Sequence, residues 1–357
     1  KVSVFFVKFF KLPIIFIIFG LFSLMFVELD RRSYEINIFN NSDSNIEIIK
    51  SIHPSKEFTI ISHGFAGSKE MMRQIAYDIA NAGSNAVLFD FIGHGSNQHK
   101  LVNQPTEITG TTQQLVNQLS NLIKFVYEKF GDEISISLVG HSMASDIVIR
   151  ASADKRIKSV VAISPYSTGI TKDFPKDLLL VSGQFENHLR LHALQMVKIF
   201  KPEVKENTEY ADEKIRRKAS FIDNTGHVSV IYAPQTTRII IDWLKLDNYD
   251  RPFWKTQIGW IIIGVTLIVF GMSRLNANFV HQNISNVEDK RALRKILLAT
   301  VFSLSSGLIE MNLLPIYGFE RIAFYFGLIG LFAYLFSFDY QITKLKIDLL
   351  LWLKLIL

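Results

Sequence analysis

The sequence predicts an α/β domain, a mostly parallel sheet flanked by helices, set between membrane-spanning helices at both ends of the chain. Three observations carry this. Across residues 33–246, short β-rich runs alternate with amphipathic helical patterns, the arrangement of a parallel sheet covered on both faces. Before residue 28 and after residue 255, long runs carry almost no charge, as a bilayer core requires. Of the 357 residues 48% are hydrophobic and 20% charged, which is too apolar for disorder or for an ordinary soluble globule.

The elements follow in order. Leu12–Val27 is charge-free and preceded by Lys8 and Lys11. It reads as an anchor, because Ser23-Leu24-Met25 makes a poor small-x-small cleavage site for a leader. Tyr34–Phe39 and Ile46–Ile52 alternate around the turn residues Asn40-Asn41-Ser42-Asp43 and predict a hairpin. Strands are predicted at Glu57–Ser62, Asn85–Phe91, Ile134–Val139, Ser159–Ser164, Asp177–Ser182 and Ala219–Asp223. Helices are predicted at Lys69–Ala82, Thr111–Phe130, Met143–Ala153, Asn187–Phe200 and Val228–Leu246. Asp247–Lys255 reads as a linker to later spans at 256–273, 296–319 and 322–338. The domains are therefore 1–30 (anchor), 31–250 (α/β domain) and 251–357 (multi-span region).

Charge orients the spans. Lys1, Lys8 and Lys11 precede the first; Arg274, Lys290, Arg291, Arg294 and Lys295 follow the second; Lys344 and Lys346 follow the last. The positive-inside rule places these groups in the cytoplasm and the α/β domain on the extracytoplasmic side. Arg31 and Arg32 run against this, beside Glu28 and Asp30. Glu310 is the one acid within a span; its place near the outer end of the helix favours a carboxylate reaching the headgroups, with a functional intramembrane carboxylate as the alternative.

In a parallel sheet, chemistry gathers at the carboxyl ends of the strands. The run Ile134–Val139 leads into Gly140-His141-Ser142-Met143-Ala144 and then a helix. Small residues two before and two after the serine let a strand turn sharply into a helix and lift the hydroxyl above the sheet. Ser142 is the candidate nucleophile. A serine needs a base, and His227 follows the last strand-like run on a loop at the same edge. The orienting acid lies between them in chain order. Glu186 fits, just beyond the strand Asp177–Ser182, and Asp223 is the rival. An oxyanion hole needs two backbone N–H groups. Met143 after the nucleophile supplies one, and Phe65 in His63-Gly64-Phe65-Ala66-Gly67 is the candidate for the other. His63, Gly64 and His141 border the site.

These motifs resemble the α/β-hydrolase superfamily over Tyr34–Leu246, about 60% of the chain. The resemblance rests on four motifs in order: His63-Gly64-Phe65, Asp90-Phe91-Ile92-Gly93-His94-Gly95, Gly140-His141-Ser142-Met143-Ala144 and Gly226-His227. It implies an eight-stranded sheet, a Ser-acid-His triad and an architectural role for the Asp90–Gly95 turn. Ala144 replaces the usual Gly, and Glu186 the more usual Asp. Only Pro165–Lys176 is available for the lid that usually follows the sixth strand, so an open site is expected.

Other signals are weaker. There is no cysteine, which excludes disulfides, thiolate metal sites and a cysteine nucleophile. His188 and His192 have metal-ligand spacing without a third ligand or the glutamate of H-E-x-x-H, so no metal is expected. No nucleotide loop is present and no cofactor is implied. The net charge of +6 lies largely beside the spans and does not suggest nucleic acid. Lys214, Arg216, Arg217 and Lys218 read as a solvated helix face. The sequence thus predicts a membrane-anchored serine hydrolase acting on carboxylic esters, lipid-like ones included, with the bilayer as its partner. Peptidase or acyltransferase chemistry by the same triad, and a non-catalytic domain whose spans carry the function, are the alternatives.

Overall fold

The computed structural model describes residues 2–40, 45–101 and 108–283. The predicted spans 296–319 and 322–338, with Glu310, lie outside the described residues, as does most of the turn after Asn40. Lys1–Ser273 forms one compact unit.

Nine strands form one mixed sheet among the described residues, in the order β1-β2-β4-β3-β5-β6-β7-β9-β8. They are β1 (Ile36–Asn40), β2 (Asn45–Ile49), β3 (Glu57–Ser62), β4 (Asn85–Leu88), β5 (Ser135–His141), β6 (Ile157–Ile163), β7 (Asp177–Gly183), β8 (Glu209–Ala211) and β9 (Arg216–Ile222). Neighbours from β4 through β3, β5, β6 and β7 to β9 are parallel. The hairpin β1–β2 pairs antiparallel to one edge and β8 to the other.

The central strands read as continuous apolar runs because both faces are buried. Ile60, Leu138, Leu178 and Leu180 face one core, with Leu119 and Ile123 of α3 (Gln113–Phe130), Ile147 of α4 (Met143–Ala151) and Met196 of α5 (Asn187–Lys198). Their chain neighbours Ile61, Val139, Leu179 and Val181 face the other, with Met72 and Ile75 of α2 (Lys69–Asn81) and Ile240 and Leu244 of α6 (Pro234–Leu244). The period of two thus divides each strand between two helical layers.

Three sequence expectations need correction. Among the described residues the sheet has nine strands and not eight, because the three-residue β8 is too short to give a periodic signal. The cluster around Arg217 is not a solvated helix face. Arg216, Arg217 and Lys218 belong to β9, and Arg217 is fully buried. Its guanidinium donates to the carbonyls of Thr171 (2.6 Å), Phe174 (3.1 Å) and Met196 (3.4 Å), which compensates a burial that charge alone disfavours. The last helix starts at Pro234, not Val228. Proline at the first position satisfies its fixed φ, and a separate 3-10 turn covers Ser229–Ile231.

Among the described residues, two helices are long and apolar enough to cross a membrane: Leu12–Arg32, within α1 (Val2–Arg32), and Gln257–Leu275, within α7 (Gln257–Asn283). They pack antiparallel through glycines. A Cβ on Gly20 would lie 2.7 Å from the Gly264 carbonyl oxygen, and one on Gly271 would lie 2.6 Å from that of Pro13. Ser23 donates to the Trp260 carbonyl at 2.7 Å. Small residues at such a crossing allow the backbone contact that holds apolar helices together.

The segment Asp247–Lys255 is not a free tether. Arg251 forms a buried ion pair with Asp78 of α2 and donates to the Tyr232 carbonyl at 3.0 Å. Asp247 N–H donates to the Ala82 carbonyl at 2.9 Å. The Gln257 N–H donates to Gln74 at 2.8 Å, and its side chain donates to Asp30 at 2.9 Å. Tyr34 stacks on Tyr77 with ring centroids 4.1 Å apart. Both apolar helices are therefore fastened to α2, whose first turn follows the loop bearing Phe65.

Candidate active site

The strand β5 ends at His141, and the next residue turns the chain. Ser142 has φ 55° and ψ −117°, a conformation that costs a non-glycine residue about 1–3 kcal/mol. Its N–H donates to the Ile163 carbonyl at 2.8 Å, so β6 holds the turn in place. Gly140 is needed because a Cβ there would lie 2.4 Å from the Ala144 carbonyl oxygen. Ala144 is fully buried, and its methyl group joins the core. Alanine therefore meets the demand for a small residue.

His227 Nε2 lies 2.8 Å from Ser142 Oγ, and its Nδ1 lies 2.6 Å from Glu186 Oε1. With the carboxylate as acceptor, Nδ1–H donates to it and Nε2 is left to accept the serine proton. The acid is buried, while nearly half of the His227 side chain is exposed. Glu186 Oε2 accepts from the Gly183 N–H at 2.6 Å and from the Ser164 hydroxyl at 2.9 Å. Burial pushes the Glu186 carboxyl up. The bonds from His227, Gly183 and Ser164 outweigh that and hold it below its ordinary value. Asp223 is exposed on the turn after β9; among the described residues, the imidazole bonds Glu186.

The loops bearing acid and base are joined directly. Phe185 N–H donates to the Thr225 carbonyl at 3.0 Å, and Asn224 N–H donates to Gln184 at 2.7 Å. His141 Nε2 is 2.8 Å from the His227 carbonyl oxygen and donates to it. Burial lowers the His141 pKa to about 4, so the ring is neutral.

The Phe65 N–H is fixed through its own peptide plane. The Gly64 carbonyl accepts from His63 Nδ1 (2.8 Å) and from the Gly67 N–H (3.1 Å), while His63 Nε2 accepts from the Phe91 N–H (3.1 Å). In a trans peptide the N–H points opposite to the carbonyl, so the Phe65 N–H faces away from His63. The same peptide lies beside Ser142, since a Cβ on Gly64 would be 3.0 Å from Ser142 Cβ. Met143 opens α4, where the helical ladder gives its N–H no partner. Burial lowers the His63 pKa to about 4 as well.

Asp90 accepts from the backbone N–H groups of Lys69 (2.7 Å) and Ser96 (3.0 Å), which ties its turn to the start of α2. His94 of that turn contacts the Phe65 ring at 5.5 Å. His192 stacks on Tyr166 at 4.6 Å; among the described residues, no group of three side chains could hold a metal.

Sequence reasoning missed Ser164 and the rim. Ser164 stands at the end of β6 with no motif around it. Phe65, Tyr166, Phe185, Leu191 and Val228 are exposed. Three of them adjoin or carry an oxyanion or triad candidate: Phe185 precedes Glu186, Val228 follows His227, and Phe65 offers its N–H. The signal was present as large apolar residues in loops or, for Leu191, on an exposed position of α5, where burial does not account for them.

The alpha/beta hydrolase fold family matches residues 60–272. No curated protein matches. Among solved structures, the esterase Pf2001 of Pyrococcus furiosus is 16% identical, with 60% of this chain and 93% of that chain covered and a TM-score of 0.46. A predicted CIB-like hydrolase from Thermoplasma acidophilum is also 16% identical, covering 59% and 98%, with a TM-score of 0.45. A bacterial membrane phospholipase A is 12% identical, covering 62% and 91%, with a TM-score of 0.41. At these identities the likeness is one of fold.

Proposed function

The chain belongs to the alpha/beta hydrolase fold family, and on that premise we propose that it is a membrane-anchored serine hydrolase cleaving carboxylic esters of amphiphilic substrates. The observation that carries the reading is the hydrogen-bonded chain from Ser142 through His227 to Glu186. His227 takes the serine proton as Oγ attacks the ester carbonyl. Glu186 stabilises the imidazolium without itself taking the proton. The Phe65 and Met143 N–H groups stabilise the oxyanion. His227 then protonates the departing alcohol. In the second half, His227 deprotonates a water that attacks the acyl-enzyme carbon, and returns that proton to Ser142.

Two features support an amphiphilic ester. The exposed Phe65, Phe185 and Val228, next in the chain to or carrying the site groups, offer apolar surface to a chain beside the reacting carbonyl. The helices α1 and α7 read as a membrane hairpin, with the exposed Phe253 and Trp254 at its outer end. The basic residues Lys1, Lys8 and Lys11 before the apolar stretch that starts at Leu12, and those after Ser273, support an extracytoplasmic domain of residues 31–250.

The test is fluorophosphonate labelling of membranes carrying the wild type or Ser142→Ala, followed by an ester panel. Labelling of the wild type alone is expected. Equal labelling of both overturns the assignment of Ser142, and no labelling of folded wild type overturns the hydrolase reading.

A further inference from the structure

The acid of this site has one methylene more than aspartate, and so one more torsion to fix. Its two oxygens are used differently. Oε1 faces His227 Nδ1, while Oε2 is held from two strands, by the Gly183 N–H of β7 and the Ser164 hydroxyl at the end of β6. Ser164 is almost fully buried. Its φ is 51°, in the left-handed region that a serine rarely adopts, and its N–H donates to the Val181 carbonyl at 2.6 Å. That backbone strain is maintained where it aims a hydroxyl at the carboxylate. The other titratable group facing Glu186 besides His227 is His141 of β5, which is neutral and bonds the His227 carbonyl instead.

We propose that Ser164 is a positioning residue of the triad: with the Gly183 N–H, its hydroxyl clamps Glu186 Oε2 so that Oε1 stays on His227. The inference rests on the hydrolase reading of the site. Without the clamp, the longer side chain swings between rotamers, and the imidazolium formed on proton transfer loses its aligned partner. A hydroxyl bond to a charged group of this kind corresponds to roughly a tenfold to hundredfold change in rate.

The test uses the full chain in detergent with p-nitrophenyl butyrate and a fluorophosphonate probe. For Ser164→Ala, kcat and the labelling rate fall about tenfold or more while KM stays within about twofold. Ser164→Gly, which relaxes the backbone at this φ, loses as much, because the hydroxyl and not the strain is responsible. In a Glu186→Ala background, Ser164→Ala costs less than about twofold further, since the hydroxyl acts through the carboxylate. A Ser164→Gly enzyme as fast as wild type overturns the inference. So does an undiminished loss in the Glu186→Ala background. If the wild type neither labels nor hydrolyses, the hydrolase reading falls and this inference with it. If the wild type reacts and Ser164→Ala reacts equally fast, only the inference falls.

Discussion

Gly183 and Thr225 meet backbone to backbone: a Cβ on Gly183 would lie 2.5 Å from the Thr225 carbonyl oxygen. Gly183 ends the strand that carries the acid, and Thr225 lies two residues before the base. Their contact sets the distance across which Glu186 reaches His227. Gly183→Ala must push the two loops apart, at a cost of about 1–3 kcal/mol. We expect a lower thermal midpoint together with loss of fluorophosphonate labelling. A variant that labels at the wild-type rate would show that the loops tolerate separation.

Buried histidines make stability fall in acid, His63 and His141 most strongly, with His94 lowered by burial in the same direction. His63 and His141 have pKa values lowered to about 4 by burial, against an unfolded value of about 6.5. Between those values the unfolded chain binds more protons than the folded one, so stability is complete above 6.5 and is lost as pH falls towards 4. Each histidine contributes roughly 1.4 kcal/mol per pH unit in that window. Denaturant midpoints at pH 7 and pH 5 measure this. His141→Gln should flatten the dependence, and an unchanged slope would contradict the assignment.

Arg217 holds the segment between β6 and β7 from below. Arg217→Met removes the guanidinium donors to the Thr171, Phe174 and Met196 carbonyls and leaves the turn at residues 171–174 to its own Thr171–Phe174 backbone pair. The expected loss is about 2–4 kcal/mol. Proteolysis within residues 165–176 should accelerate at temperatures where the wild type resists. Equal protease resistance would mean that the segment is held by other contacts.

The glycine crossing of α1 and α7 makes a separate prediction. Gly264→Leu places a side chain where even a Cβ would be 2.9 Å from the Gly20 carbonyl oxygen. Overpacking of this kind costs about 1–3 kcal/mol. The melting temperature in detergent should drop while the labelling rate at 25 °C is retained. A loss of labelling without a drop in melting temperature would tie the crossing to the site itself.

The exposed rim predicts chain-length preference. Phe185→Ser and Val228→Ser remove apolar surface beside Glu186 and His227. Together they should lower kcat/KM about tenfold for an octanoyl ester relative to an acetyl ester. A ratio that does not move would place the acyl chain elsewhere.

Much of this protein was legible without a structure, for a local reason. Parallel strands buried on both faces must be apolar throughout, so Leu178–Val181 announces itself. A strand that turns into a helix at a serine must have small neighbours, so Gly140 and Ala144 mark Ser142. Ends of parallel strands gather at one edge, which ranks His227 and Glu186 by chain position alone. Charge-free runs of bilayer length name themselves by composition.

Tertiary structure alone decided what depends on partners distant in sequence. Position put Glu186 first and left Asp223 as its rival; that the imidazole bonds Glu186 is seen only in the fold, where Gly183 approaches Thr225. Ser164 carries no motif, because its role comes from the neighbouring strand and not from its own chain neighbours. The charge around Arg217 suggested solvent, while five-residue-wide windows contain none of the carbonyls that let it be buried. The segment Asp247–Lys255 read only as a linker because the ion pair of Arg251 with Asp78, which packs it on the domain, joins residues far apart in the chain. Periodicity and turn chemistry report forces between near neighbours; hydrogen bonds and ion pairs across the fold exist only once the sheet has brought their groups together.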